Sequence, residues 1–198
     1  MVIMTDEKDT RRRILATAAD LFRRQGYSGT GLSQVLAAAQ VPKGTLYHHF
    51  PGGKEQLGVE AVRAGGAEIR ALLESLIAGA GRPGDALDGT VRLFRAALES
   101  SDYTEGCPVA TVALESAGCD PLRAACDEAY RSWTDLIATA LGRWEVPADR
   151  HDDLATTILA TLEGALLLAR VRRDTAPLDA AARQLRVLVD AAVPAGAR

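Results

Sequence analysis

Residues 30–50 read TGLSQVLAAAQVPKGTLYHHF, and the fold turns on this stretch. Leu32, Val35, Leu36 and Ala39 recur at helical spacing and predict one short helix. The chain then passes through Gln40 and Val41 to Pro42, which suits the first turn of a second helix spanning 42–50. That second helix has two large apolar residues, Leu46 and Phe50, at i and i+4, enough to bury one stripe. At about 100° per residue, Gly44, Thr45 and His48 fall on the opposite face, with Tyr47 and His49 flanking it. A globular core has no use for such a face. A DNA major groove does, because glycine, hydroxyl, imidazole and phenol groups there meet base edges and phosphates. The pattern is that of a helix-turn-helix.

Upstream lies RRRILATAADLFRRQGYSGTG and downstream PGGKEQLGVEAV. Together with the central stretch they resemble the N-terminal DNA-binding domain of the TetR family of bacterial transcriptional regulators, over roughly residues 10 to 62. KGTLYHHF, followed four residues on by Lys54, is the densest part of the resemblance. FPGGKE and GCPVATVALE (106–115) are similar to the branch named after the LmrA and YxaF repressors. The resemblance implies a cytoplasmic, nucleoid-associated homodimer on double-stranded DNA, a repressor released from an inverted-repeat operator by a small-molecule inducer.

It also implies contacts. Lys43, Gly44 and Thr45 would stand at the N-terminal end of the recognition helix, where unpaired amides favour phosphate oxygens. Thr45 and His48 would reach base edges or adjacent sugars. Tyr47 and His49 match positions that touch the backbone, Lys54 a phosphate-clamping lysine, and Thr30 a further backbone contact. Two positions depart from the family pattern. Gly31 stands where a hydroxyl often caps the first of the two helices, and Gln40 where glycine is usual. A left-handed backbone is expected at Gln40, at about 1 kcal/mol or more for a residue with a side chain.

Composition sets the frame. The 198 residues, 47% of them hydrophobic, suffice for one large domain or two small ones. Little period-two alternation occurs, so an all-α fold of about nine helices is expected. The N-terminus lacks a basic start followed by a long apolar region, so no signal peptide is expected, and no apolar run reaches membrane-spanning length. Charge is segregated: residues 8–58 carry +5, which leaves −8 for the rest of a chain of net −3. A basic module on an acidic body favours polyanion binding at one end. Cys107, Cys119 and Cys126 have no metal-ligand spacing, so buried free thiols are expected, with no metal, no cofactor and no catalytic residue.

Further helices are expected over 9–24, 54–78, 85–100, 105–118, 121–143, 149–173 and 177–192, ahead of a fraying tail. The division is read as a helix-turn-helix head at 8–56 and a ligand-binding and dimerisation body at 57–198. Gly65-Gly66 is either a compliant point in the link between them or a site of close helix packing. Phe94, Tyr103, Cys107, Tyr130 and Trp133 are candidates for an apolar ligand pocket. Leu154, Ile158, Leu162, Leu166, Leu185 and Leu188 are candidates for a four-helix dimer interface; the competing reading makes them monomer core. Among rival functions, an enzyme lacks support: His48 and His49 lie on the DNA face, and Gly53-Lys54 lacks the upstream glycine of a phosphate loop. A thiol-based redox regulator, or a helical interaction module without DNA binding, remain as alternatives.

Overall fold

A computed structural model of the chain describes residues 3–194, with side chains from Glu7 onward. Among these residues lie nine α-helices and no strand. They are α1 (Ile3–Gln25), α2 (Leu32–Ala38), α3 (Thr45–His49), α4 (Gly53–Ala78), α5 (Pro83–Ser100), α6 (Ala110–Ala113), α7 (Asp120–Arg143), α8 (His151–Arg172) and α9 (Ala176–Asp190). Short 3-10 turns occupy Ser116–Gly118 and Ala148–Arg150. The all-helical expectation is met. The expected fraying of the tail falls, beyond Pro194, outside the described residues.

Several boundaries differ, for local reasons. α1 begins at Ile3, and Asp9 does not cap it: from inside the helix it pairs with Arg12 and Arg13. α3 begins at Thr45, not Pro42. The Thr45 N–H donates to the Pro42 carbonyl at 3.0 Å, so Pro42, Lys43 and Gly44 form a turn ahead of the helix. The helix expected over 105–118 shrinks to α6 and the Ser116–Gly118 turn. There the Ser116 hydroxyl donates to the Ala113 carbonyl and competes with the helical ladder.

Gln40 is left-handed as expected, with φ 56°. Its N–H donates to the Ala37 carbonyl and that of Val41 to Leu36, a Schellman closure that satisfies the last carbonyls of α2. α7 and α8 end identically, through Glu145 (φ 61°) and Arg173 (φ 52°). α5 closes with the same hydrogen-bond pair through Asp102 (φ 50°), so four helices stop on a closure normally given to glycine, and hydrogen bonds offset the backbone cost.

By compactness the chain forms two units, and neither follows a single cut near residue 56. One comprises the described residues up to Ala67 together with Cys107–Ala129; the other comprises Glu68–Gly106 and the described residues from Tyr130 onward. In the first unit Ile14, Ala18 and Phe22 of α1 are buried, as are Val35, Leu36, Leu46, Phe50, Leu57 and Val62. Val109, Val112 and Leu122, from the later segment, are buried in the same unit. Glu115 fastens that segment: its carboxylate accepts the Ser28 N–H at 2.5 Å. Gly26 is required beside it, because φ is 83° and a Cβ would stand 2.2 Å from Glu115 Oε1.

Gly65 and Gly66 lie within the continuous α4. A Cβ on Gly65 would come 3.0 Å from Pro108 Cβ, and one on Gly66 would come 2.9 Å from Ala129 Cβ. Close packing accounts for both glycines, so a compliant point is not needed to explain them.

In the second unit α5, α8 and α9 pack together. Arg95 pairs with Asp179, and Arg186 with Asp88, tying α5 to α9. α8 buries Leu154, Ala155, Ile158, Leu162, Ala165, Leu166 and Ala169 along one stripe. Contrary to the expectation from apolar run length, this helix with its preceding turn is long and apolar enough to cross a membrane by length and composition. Small residues and scattered Thr keep the segment apolar without a continuous run of large side chains, and the buried stripe puts it in the unit's own core.

Candidate nucleic-acid interface

Burial of Leu46 and Phe50 fixes α3 by the stripe their spacing predicts and leaves its other face outward. The Arg11 guanidinium covers the Phe50 ring, 4.8 Å from its centroid. Lys43, Gly44, Tyr47 and His48 are exposed, while Thr45 and His49 are half-buried. Tyr47 is 62% exposed, unusual for a phenol on a rigid helix and a reason to expect a partner there. Nothing lies within 4 Å of a Cβ built on Gly44, so an approaching surface meets bare backbone.

After α3 the chain reverses tightly. The Gly53 N–H donates to the Phe50 carbonyl, and Gly53 takes φ 63°, so Pro51, Gly52 and Gly53 together deliver Lys54 into the first turn of α4. The Lys54 ammonium lies 4.5 Å from the centre of the Tyr27 ring, and burial lowers its pKa. The same burial pushes the Tyr27 phenol up. Lys54 is thus held in place by a cation–π contact rather than free to sweep.

Two of the sequence-derived contact residues have partners within the chain. Thr30 is 1% exposed, and its hydroxyl donates to the Gly26 carbonyl at 2.7 Å and accepts from Gln25. It is a buried strut at the end of α1. His48 does not stand alone: Nε2 lies 2.6 Å from Oε1 of Glu7, one α1 turn from the helix start. The hydrogen bond from His48, and then its charge, hold the Glu7 carboxyl below its ordinary value. The sequence offered no signal for Glu7, which sits among acids and bases with no motif of its own.

The basic excess is partly consumed within the unit. Arg12 and Arg13 pair with Asp9, Arg23 and Arg24 with Asp20, and Arg11 with Glu60 at 2.6 Å. These are mostly exposed pairs of small energetic weight, and their arginines can exchange partners for phosphate.

The second unit holds a partly open cavity of about 60 Å3, room for a few water-sized groups. Phe94 and Trp133 line it, with Leu73, Ile137, Trp144 and Ile158. Tyr103, Cys107 and Tyr130 are not among its lining residues; Tyr103 lies under the Arg173 guanidinium and Tyr130 stands edge-on to Trp133. Cys107 is buried in the other unit. Ile158 and Leu162, candidates for the dimer interface, line this cavity.

The remaining dimer candidates also turn inward. Leu154, Leu166 and Leu185 are buried within the protomer and Leu188 is half-buried. The outward apolar residues are Leu167 (51% exposed), Leu168 (47%) and Val171 (74%) of α8, with Val187 (65%) of α9. Gly164, Leu167, Leu168 and Val171 follow i, i+3, i+4, i+7 spacing, so α8 carries a second apolar stripe, opposite in role to the first. Which of the two stripes faces outward is decided by packing, not by spacing along the helix.

Of the three thiols, Cys107 and Cys126 are buried and Cys119 is partly exposed, its sulfur 3.4 Å from Glu55 Oε2. Burial pushes the Cys126 pKa up to about 11.

A five-residue helix offering phenol, hydroxyl and imidazole groups, held by α1, α2 and a glycine-rich reversal into a lysine, defines a helix-turn-helix DNA-binding protein. The profile of bacterial regulatory proteins of the tetR family matches residues 14–61, and that of the LmrA/YxaF-like transcriptional regulator C-terminal domain matches 83–184. An uncharacterised HTH-type transcriptional regulator of Mycobacterium tuberculosis is 38% identical, covering 95% of this chain and 98% of its own. The HTH-type transcriptional repressor NemR of Escherichia coli is 31% identical over 92% and 95%. A crystal structure of a TetR transcriptional regulator from Chloroflexus aurantiacus is 32% identical over 94% and 96%, with a TM-score of 0.79. The chain belongs to the TetR family of transcriptional regulators, in its LmrA/YxaF-like branch.

Proposed function

We propose that this DNA-binding regulator acts in the bacterial cytoplasm as a homodimeric repressor, released from an inverted-repeat operator by a small, mainly apolar molecule. The exposed face of α3 carries this reading: Tyr47 and His48 project from a helix whose opposite side is fully buried. Lys43, Gly44, Thr45, Tyr47, His48, His49 and Lys54 are the contacts assigned to that face. Tyr47 and Lys54 engage the phosphate backbone; Thr45 and His48 face base edges. The repressor sense follows the relative NemR, which carries that description.

The dimer is assigned to the outward stripe of α8 with Val187 of α9, a face that leaves the protomer's own core intact. Two heads on a two-fold axis read half-sites about 34–36 Å apart, so a small change in their separation weakens binding. The cavity beside Phe94 and Trp133 is the assigned inducer site. A ligand acts there by favouring the arrangement whose head spacing does not match the operator.

The test is selection of duplexes from a random pool with purified protein at near-physiological salt, since low salt inflates non-specific binding. Enrichment of an inverted repeat supports a symmetric dimer reading sequence. A folded dimer that enriches nothing removes the operator and supports an interaction scaffold instead.

A further inference from the structure

We propose that Glu7, His48 and His49 form a binding site for a borderline divalent cation of the Zn2+, Co2+ or Ni2+ type, and that its occupancy excludes operator DNA. One ligand atom from each of the three side chains lies within 4.8 Å of the other two. The set spans two elements, α1 and α3, which brings a carboxylate from a distant part of the chain onto the imidazole pair. His48 and His49 are sequence neighbours whose side chains leave a helix about 100° apart. Here their rings nonetheless converge, with centroids 5.0 Å apart and planes at 70°.

The donor chemistry selects the ion. Two imidazoles and one carboxylate match the three-ligand set of an open zinc site, with a fourth position left for water. Calcium and magnesium, which take oxygen ligands, are poor fits. Tetrahedral coordination at about 2.0–2.1 Å places ligand atoms roughly 3.4 Å apart. Glu7 Oε1 and His48 Nε2 are already closer than that, at 2.6 Å. Glu7 and His48 are exposed and His49 is half-buried, so side-chain torsions close the remaining separation without moving either helix.

The consequence for DNA follows from where these side chains sit. His48 and His49 belong to the face assigned to the operator, and an ion held there takes one nitrogen from each ring while drawing both toward α1. This second half of the proposal rests on that assignment; the site itself does not.

The test uses the full chain without a polyhistidine tag. Co2+ is titrated in the absence of DNA and followed by its visible absorption, then displaced by Zn2+. A single saturable site is expected, weakened at least about tenfold in Glu7→Gln and in His49→Asn, with helical circular dichroism unchanged. No saturable binding, or equal affinity in Glu7→Gln, overturns the site and leaves the operator assignment intact. Saturating Zn2+ is then expected to raise the operator Kd of the native protein at least about tenfold, and not that of Glu7→Gln. A site that fills without changing operator affinity overturns the exclusion and removes both imidazoles from the DNA interface.

Discussion

Replacing Val171 with glutamate is expected to separate the dimer while leaving each protomer folded. Val171 is the most exposed member of the outward α8 stripe. Full burial of an aliphatic side chain is worth about 1.5–3 kcal/mol, and most of the Val171 surface is still open, so covering it contributes roughly 1–2 kcal/mol. Two-fold symmetry counts it twice, which gives about 2–4 kcal/mol of dimer stability from this position. A carboxylate buried there without a partner costs a further few kcal/mol. The dimer Kd should therefore rise at least ~100-fold. Sedimentation velocity over a dilution series measures it, with circular dichroism as the folding check. Leu114→Glu is the control, a leucine of similar exposure outside the stripe, and it should leave the dimer unchanged. A folded Val171→Glu protein that dimerises like the native chain would refute the assignment of this stripe.

Thr30→Ala should lower stability by about 1–3 kcal/mol by stranding the Gly26 carbonyl; equal urea midpoints would show that the buried hydroxyl is not a strut. Gly66→Ala places a methyl against Ala129 and should cost about 1–3 kcal/mol, read from the same denaturation curves, whereas unchanged stability with altered inducer response would restore the compliant-point reading. Lys43→Ala should weaken operator binding and reduce its salt slope by about 1, and Tyr47→Ala should weaken binding with the dimer intact; normal operator affinity in either would remove that contact. Cys126 should resist alkylation at neutral pH while Cys119 reacts, because burial keeps the Cys126 thiol protonated up to about 11. Its raised pKa also means that the unfolded chain ionises first, so this thiol's contribution to stability is lost as pH climbs from its ordinary value towards 11. Mass spectrometry of iodoacetamide-treated protein checks the order, and preferential labelling of Cys126 would contradict it.

The recognition helix was legible because it is a local pattern: Leu46 and Phe50 four residues apart dictate which side is buried, and the groups between them are then outward by geometry. The left-handed turn at Gln40 was legible through the family resemblance, because Gln40 stands where glycine is usual. The burial of Thr30 was not legible because exposure is not local; a hydroxyl ahead of a helix serves equally as a cap, a strut or a contact until the Gly26 carbonyl is seen beneath it. On α8 two apolar stripes share one helix, and sequence spacing alone does not say which of them the protomer's own packing buries. Trp144 and Ile137 entered the cavity lining from positions that in sequence are indistinguishable from ordinary core.

The segment 107–129 belongs with the unit that carries α3, although residues 68–106 of the other unit come before it in the chain. Recombination that joins this head to a relative's sensor at a single crossover would strand Gly26 beside a foreign residue in place of Glu115, and Gly65 and Gly66 opposite partners they were not shaped for. A working chimera needs three crossovers, the second piece carrying residues 107–129 along with the DNA reader. Heads and sensors in this branch are therefore expected to be inherited together, and new specificities to arise by substitution on the α3 surface and in the cavity wall rather than by exchange of whole modules.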